Sequence, residues 1–147
     1  FINAYFAGFP SVRAFIDNLL AKARETGVVK TMFGRRRLVP ELNSRNGQIR
    51  AAAERETVNM PIQGTAADVL KKAMIDASRE LDRYNAGRTQ PSRMILTVHD
   101  ELLFECVREE ADAVATFVRE RMEGAASLSV PLTVDVGIGD NWRDAKH

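Results

Sequence analysis

At 147 residues the chain has the length of one ordinary domain and can bury a core of its own. Its 45% hydrophobic and 28% charged content excludes a disordered polar chain, and no apolar run approaches the ~20 residues of a membrane span. The net charge of +1 hides an asymmetry: residues 1–98 carry 16 Lys/Arg against 9 Asp/Glu, and residues 99–147 carry 5 against 11.

The chain begins at Phe1 rather than Met, inside an apolar pattern and without the basic-then-apolar run of a secretion signal; the expectation is a piece cut from a longer protein. Val12, Phe15, Ile16, Leu19, Leu20 and Ala23 then recur at helical spacing after Pro10, and Gly27 stops the pattern. Val28–Thr31 and Arg36–Val39, separated by Phe33 and Gly34, read as a hairpin. Pro40 to Gly47 reads as a loop. Next comes a helix over about Gln48 to Asn59, and Pro61 predicts a new helix start, because proline suits a first turn and not a helix interior. The stripe Ala66, Val69, Leu70, Ala73, Met74, Ala77 and Leu81 predicts about four helical turns, and Tyr84 to Ser92 reads as a surface connection.

The last third changes character. Met94–Val98 and Leu102–Val107 predict a second hairpin with His99, Asp100 and Glu101 at its tip. Cys106, the single cysteine, cannot form an internal disulfide and fits a reduced, cytosolic setting. A helix over Glu109–Glu123 follows, with Val114, Phe117, Val118 and Met122 on one face. Leu132, Val134, Val136 and Ile138 alternate with Thr133, Asp135 and Gly137, which predicts a half-buried strand. Helices followed by strand–strand–helix–strand give an α+β class with a small, mainly antiparallel sheet.

Three constellations carry candidate chemistry. Adjacent Asp100 and Glu101 at a tight hairpin repel each other, and a divalent cation offsets that repulsion; Mg²⁺ prefers carboxylate, water and phosphate oxygens. The plainer alternative is a solvated turn. Arg55, Asn59 and Gln63, spaced by four and four, lie along one side of a helix and carry the donors that meet acceptors in a nucleic-acid groove. Against this, Asn59 is also a turn former before Pro61. Gly64 and small Thr65, Ala66 and Ala67 imply close backbone packing against a neighbour. Arg35, Arg36 and Arg37 offer phosphate contacts or plain surface charge. Residues 30–55 as a whole hold seven basic residues against two acids, Glu41 and Glu54, a local surface suited to a polyanion. Trp142, after Gly139-Asp140-Asn141, reads as a residue that docks the chain end.

The segments T-M-F-G-R-R-R-L-V-P, A-A-E-R-E-T-V-N-M-P-I-Q-G-T-A-A-D, V-H-D-E-L and V-P-L-T-V-D-V-G-I-G-D-N-W stand in the order found in family A DNA polymerases of the bacterial type. The resemblance runs from about Phe1 to Trp142. It implies part of a polymerase right hand, with residues 1–47 from the fingers and residues 48–147 from the palm. It further implies that Asp100 is a ligand of a catalytic Mg²⁺ pair, with Glu101 a nearby second acid and His99 close to the primer end. Arg55, Asn59 and Gln63 would follow the minor groove of primer–template DNA, where the acceptors are shared by all base pairs. Deoxynucleoside triphosphates are the implied substrates, replication and repair the implied processes, and the nucleoid-associated cytoplasm the implied location. The family's second palm Asp and its fingers Lys and Tyr cannot be located in this sequence. The resemblance therefore implies an incomplete two-ion site and an inactive isolated chain.

The alternatives are a non-catalytic duplex-binding module, a structural domain and a metal-dependent phosphohydrolase. The last needs several His ligands, and only His99 and His147 are present. A cut within the fingers would also expose Phe6, Phe9 and Phe15 and lead to self-association, or to disorder before about Gln48.

Overall fold

The computed structural model describes residues 2–146; Phe1 and His147, each noted above, lie outside the described residues. Packing divides the chain into two compact units, Phe1–Asp68 and Val69–His147. This division falls twenty-one residues after the fingers–palm boundary implied by the resemblance.

In the first unit a short helix α1 (Ile2–Gly8), not anticipated in the sequence, leads into α2 (Pro10–Thr26). Pro10 sits in the first turn of α2, where its missing N–H costs nothing. Gly27 closes α2 at φ 70°, in the left-handed region that favours glycine, and donates its N–H to the Ala23 carbonyl. Strands β1 (Val28–Lys30) and β2 (Arg36–Leu38) form the expected hairpin, with Val28 opposite Leu38. A 3₁₀ turn at Pro40–Asn43 follows, where the sequence reads as a loop. Asn46 then caps α3 (Gly47–Tyr84), its Oδ1 accepting the Gln48 N–H at 2.9 Å. The core gathers Ala23, Val29, Val39, Leu42, Ala53 and Met60, flanked by Leu19 and Leu20, and the Arg24–Glu54 ion pair ties α2 to α3. Burying a Leu or Val side chain of this kind contributes about 1.5–3 kcal/mol.

Helix α3 corrects one expectation: it runs through Pro61 without a break. Thr57, Met60 and Thr65 are all buried and flank Pro61 on one broad face. Their burial holds both stretches in line, and the helix tolerates the one backbone hydrogen bond that proline removes.

The second unit contains the rest of α3, the hairpin β3 (Arg93–Val98) and β4 (Glu101–Glu105), and α4 (Ala111–Glu123). Leu81, Val114 and Val118 form its buried centre, with Tyr84, Met94, Phe104, Cys106, Phe117 and Met122 packed around them. Asn85 clasps the connection after α3, donating to the Ser92 carbonyl and accepting the Ser92 N–H. The expected last strand is absent among the described residues: exposure alternates from Leu132 to Val136, Ile138 is exposed, and the segment enters no ladder. Its main tie is the Val134 N–H, which meets a Glu123 carboxylate oxygen at 3.0 Å. With both sheets two-stranded and antiparallel, the class is α+β with helix predominating.

Candidate nucleic-acid face and acidic hairpin

Continuity of α3 decides how Arg55, Asn59 and Gln63 are arranged. At 100° per residue, Arg55, Asn59 and Gln63 advance only about 80° around the helix while rising roughly 12 Å along it. The three therefore share a stripe opposite buried Thr57, Met60 and Thr65, and all three are exposed. None of the triad side chains makes a hydrogen bond or ion pair to another described residue. A row of donors along one continuous helix is suited to meeting acceptors spaced along a groove.

The three arginines of the first hairpin separate by role. Arg36 is exposed on β2 and free of partners among the described residues. Arg37 pairs with Glu56 on α3. Arg35, although exposed, reaches α3, with Nε donating to Asp68 Oδ1 at 2.8 Å and Nη2 donating to the Gly64 carbonyl at 2.9 Å. The Met32 N–H donates to Thr65 Oγ1 at 3.0 Å. A side chain at Gly64 would meet Thr31 Cγ2 at 2.8 Å, so close packing of the small-residue run holds at Gly64 and Thr65, while Ala66 is exposed.

At the second hairpin Val98 pairs with Glu101, so the turn is two residues long, His99 and Asp100, and Glu101 opens β4 instead of lying between the strands. His99 takes φ 53°, the positive value a tight hairpin of this hand requires at its first position. Both His99 and Asp100 project into solvent. Glu101 is half-buried and occupied: Trp142 Nε1 donates to it at 3.3 Å, and Lys146 Nζ lies 3.7 Å away. Trp142 thus docks the chain end, as expected, and it does so on one of the two candidate carboxylates. Asp100 is the free acid of the pair.

No cluster of three His, Cys, Asp or Glu side chains capable of holding a metal occurs among the described residues. An exposed carboxylate at a strand turn fits the hard-oxygen preference of Mg²⁺, yet Asp100 alone supplies only a fraction of the ligands. The groove lined by Asp76, Arg79, Glu80, Arg83, Glu120 and Arg121 is no stronger a candidate, because Glu80 is shared by Arg83 and Arg121 and Arg79 faces Asp76.

Comparison with known proteins settles the family. The sequence model of DNA polymerase family A matches residues 1–144. This chain belongs to DNA polymerase family A. It is 50% identical to the thermostable DNA polymerase I of Thermus aquaticus, over 100% of this chain and 17% of that protein. It is 47% identical to DNA polymerase I of Geobacillus stearothermophilus, over 99% of this chain and 16% of that one. Among solved structures it superimposes on the POL domain of Pol1 from M. smegmatis, in complex with DNA primer-template and dNTP. That match has a TM-score of 0.90 and 45% identity over 99% of this chain and 25% of the other. The chain thus spans about a sixth of the length of its curated family A relatives.

The partners of the hairpin arginines were beyond sequence reasoning. Arg35 and Asp68 stand thirty-three positions apart, and nothing in either segment announces the pairing. The same holds for Glu101 and Trp142, forty-one apart.

Proposed function

We propose that the chain forms a duplex-gripping part of a DNA-directed DNA polymerase and contributes one metal-binding carboxylate to its nucleotidyl-transfer site. The observation that carries this reading is the exposed, unpaired stripe Arg55–Asn59–Gln63 on unbroken α3, in a chain of family A. The solved relative bound to primer-template and dNTP supports DNA and nucleotides as partners.

In this reading Arg55, Asn59 and Gln63 donate to the N3 and O2 acceptors of the minor groove. Every correct base pair presents these acceptors at similar positions, so the contact tests pairing geometry without reading sequence. Arg36 adds a phosphate contact, which strengthens binding at low salt. His99, which shares a two-residue turn with Asp100, is assigned the contact with the primer end in this reading. Asp100 holds part of a Mg²⁺ site, and Glu101 stands behind it, engaged by Trp142 and Lys146. The metal pair, when bound, supplies activation of the primer 3′-hydroxyl and charge neutralisation at the leaving pyrophosphate.

Primer extension with Mg²⁺ and all four nucleotides, run beside Asp100→Ala, tests the metal part. The expected result is no extension by this chain alone, with duplex binding unaffected by Asp100→Ala at any Mg²⁺ concentration. Extension that Asp100→Ala abolishes would mean that the remaining metal ligands come from within these 147 residues, contrary to this account.

A further inference from the structure

We infer that Arg35 is a positioning residue and not a phosphate contact: with Thr31, Thr65 and Asp68 it clamps the turn of α3 that presents Gln63. The inference rests on the duplex-binding reading above. Its starting point is the weakness of the helix at the site. Pro61 removes a backbone donor, and Gly64, one turn later, is a poor helix former. Asn59 and Gln63 therefore sit on the least self-supporting stretch of α3, although a groove contact needs donors held in place.

The hairpin turn supplies the missing support from outside. Thr31 Oγ1 accepts the Arg35 N–H at 3.1 Å, and the Thr31 N–H donates to the Arg35 carbonyl at 3.0 Å, which fixes the turn itself. From that fixed turn the Arg35 guanidinium reaches two sites one helical turn apart, the Gly64 carbonyl and the Asp68 carboxylate. The Met32 N–H adds a third tie at Thr65 Oγ1. The absence of a side chain at Gly64 lets Thr31 approach closely enough for all three. Asp68 is largely buried, with 12% of its side chain exposed, whereas Arg35 keeps 46% of its own exposed, so what withholds the guanidinium from a backbone phosphate is the engagement of its Nε and Nη2 with Asp68 and the Gly64 carbonyl. Arginine suits this task because its planar fork bonds two acceptors at once.

The two roles for Arg35 predict opposite signs for one substitution. Asp68→Asn removes a negative charge and releases Arg35. If Arg35 served phosphates, duplex binding would tighten. As a positioning residue, its release weakens binding by about five- to tenfold, while the slope of log K against log salt stays unchanged. The experiment titrates a fluorescent primer–template duplex with the 147-residue chain across a salt series. It compares Asp68→Asn, Arg35→Gln, Gln63→Ala and the Asp68→Asn/Gln63→Ala double variant, with thermal melts to confirm folding. Asp68→Asn should cost less than about twofold once Gln63 is already alanine, because coupled residues are non-additive. Amide exchange at Asn59–Gln63 should accelerate in Asp68→Asn, and in Thr65→Val, which breaks the Met32 tie without touching a charge. Tighter binding by Asp68→Asn, or a slope reduced by ~0.9 in Arg35→Gln, overturns the inference and leaves the duplex reading standing. A parent chain with no salt-sensitive duplex binding overturns both.

Discussion

Gly64 illustrates how much a single position can be asked to do. Its backbone lies against a branched, buried Thr31, with Arg35 and Met60 close by. Alanine is the better helix former by about 1 kcal/mol, so propensity alone favours Gly64→Ala. The added methyl, however, meets Thr31 Cγ2 at 2.8 Å, and overpacking of this kind costs about 1–3 kcal/mol. The packing term should win, and chemical denaturation should show Gly64→Ala less stable by about 1 kcal/mol; a stabilised variant would show that the hairpin yields to the helix. At this scale the sequence disclosed residue types and hid their partners. The triad was legible because its spacing is local. The separation of Arg35, Arg36 and Arg37 into one clamp, one cation without a partner among the described residues and one ion pair was not, because it depends on which residues of α3 lie opposite them.

Among the elements, those with their own signals were read closely. Pro10 and Gly27 bound α2, Phe33-Gly34 marks the first hairpin, and the apolar face of α4 is formed by the expected Val114, Phe117, Val118 and Met122. Two of the departures share a cause: tertiary context outweighed a local rule. Pro61 should end a helix, yet burial of Thr57, Met60 and Thr65 carries α3 through it. The alternation of Leu132–Ile138 is a strand pattern, but a strand also needs a neighbour with a free edge, and the segment has no ladder partner among the described residues. Because proline in a helix interior costs up to ~3 kcal/mol relative to alanine, Pro61→Ala should stabilise α3 by about 1–3 kcal/mol. A urea melt with the midpoint raised and the m-value unchanged is the expected reading. A lowered midpoint would mean that the Pro61 ring packs in a way alanine cannot replace.

The whole molecule is read most directly through its charge and its family. The basic excess of residues 1–98 coincides with the triad and with free Arg36, and the acidic excess of residues 99–147 includes Asp100. Family A membership follows from a match spanning residues 1–144, and the chain covers 17% of the Thermus aquaticus enzyme, so the activity of whole relatives comes to it only as a proposal. The face of α3 is the part of that proposal this chain can answer for by itself. The most direct measurement is therefore a salt titration of primer–template binding by the parent chain and by an Arg55→Ala/Asn59→Ala/Gln63→Ala variant. The expected result is a log affinity that falls linearly with log salt in the parent, and an affinity at least about tenfold lower in the variant at every salt concentration. Equal affinities for the two proteins, or binding indifferent to salt, would contradict it.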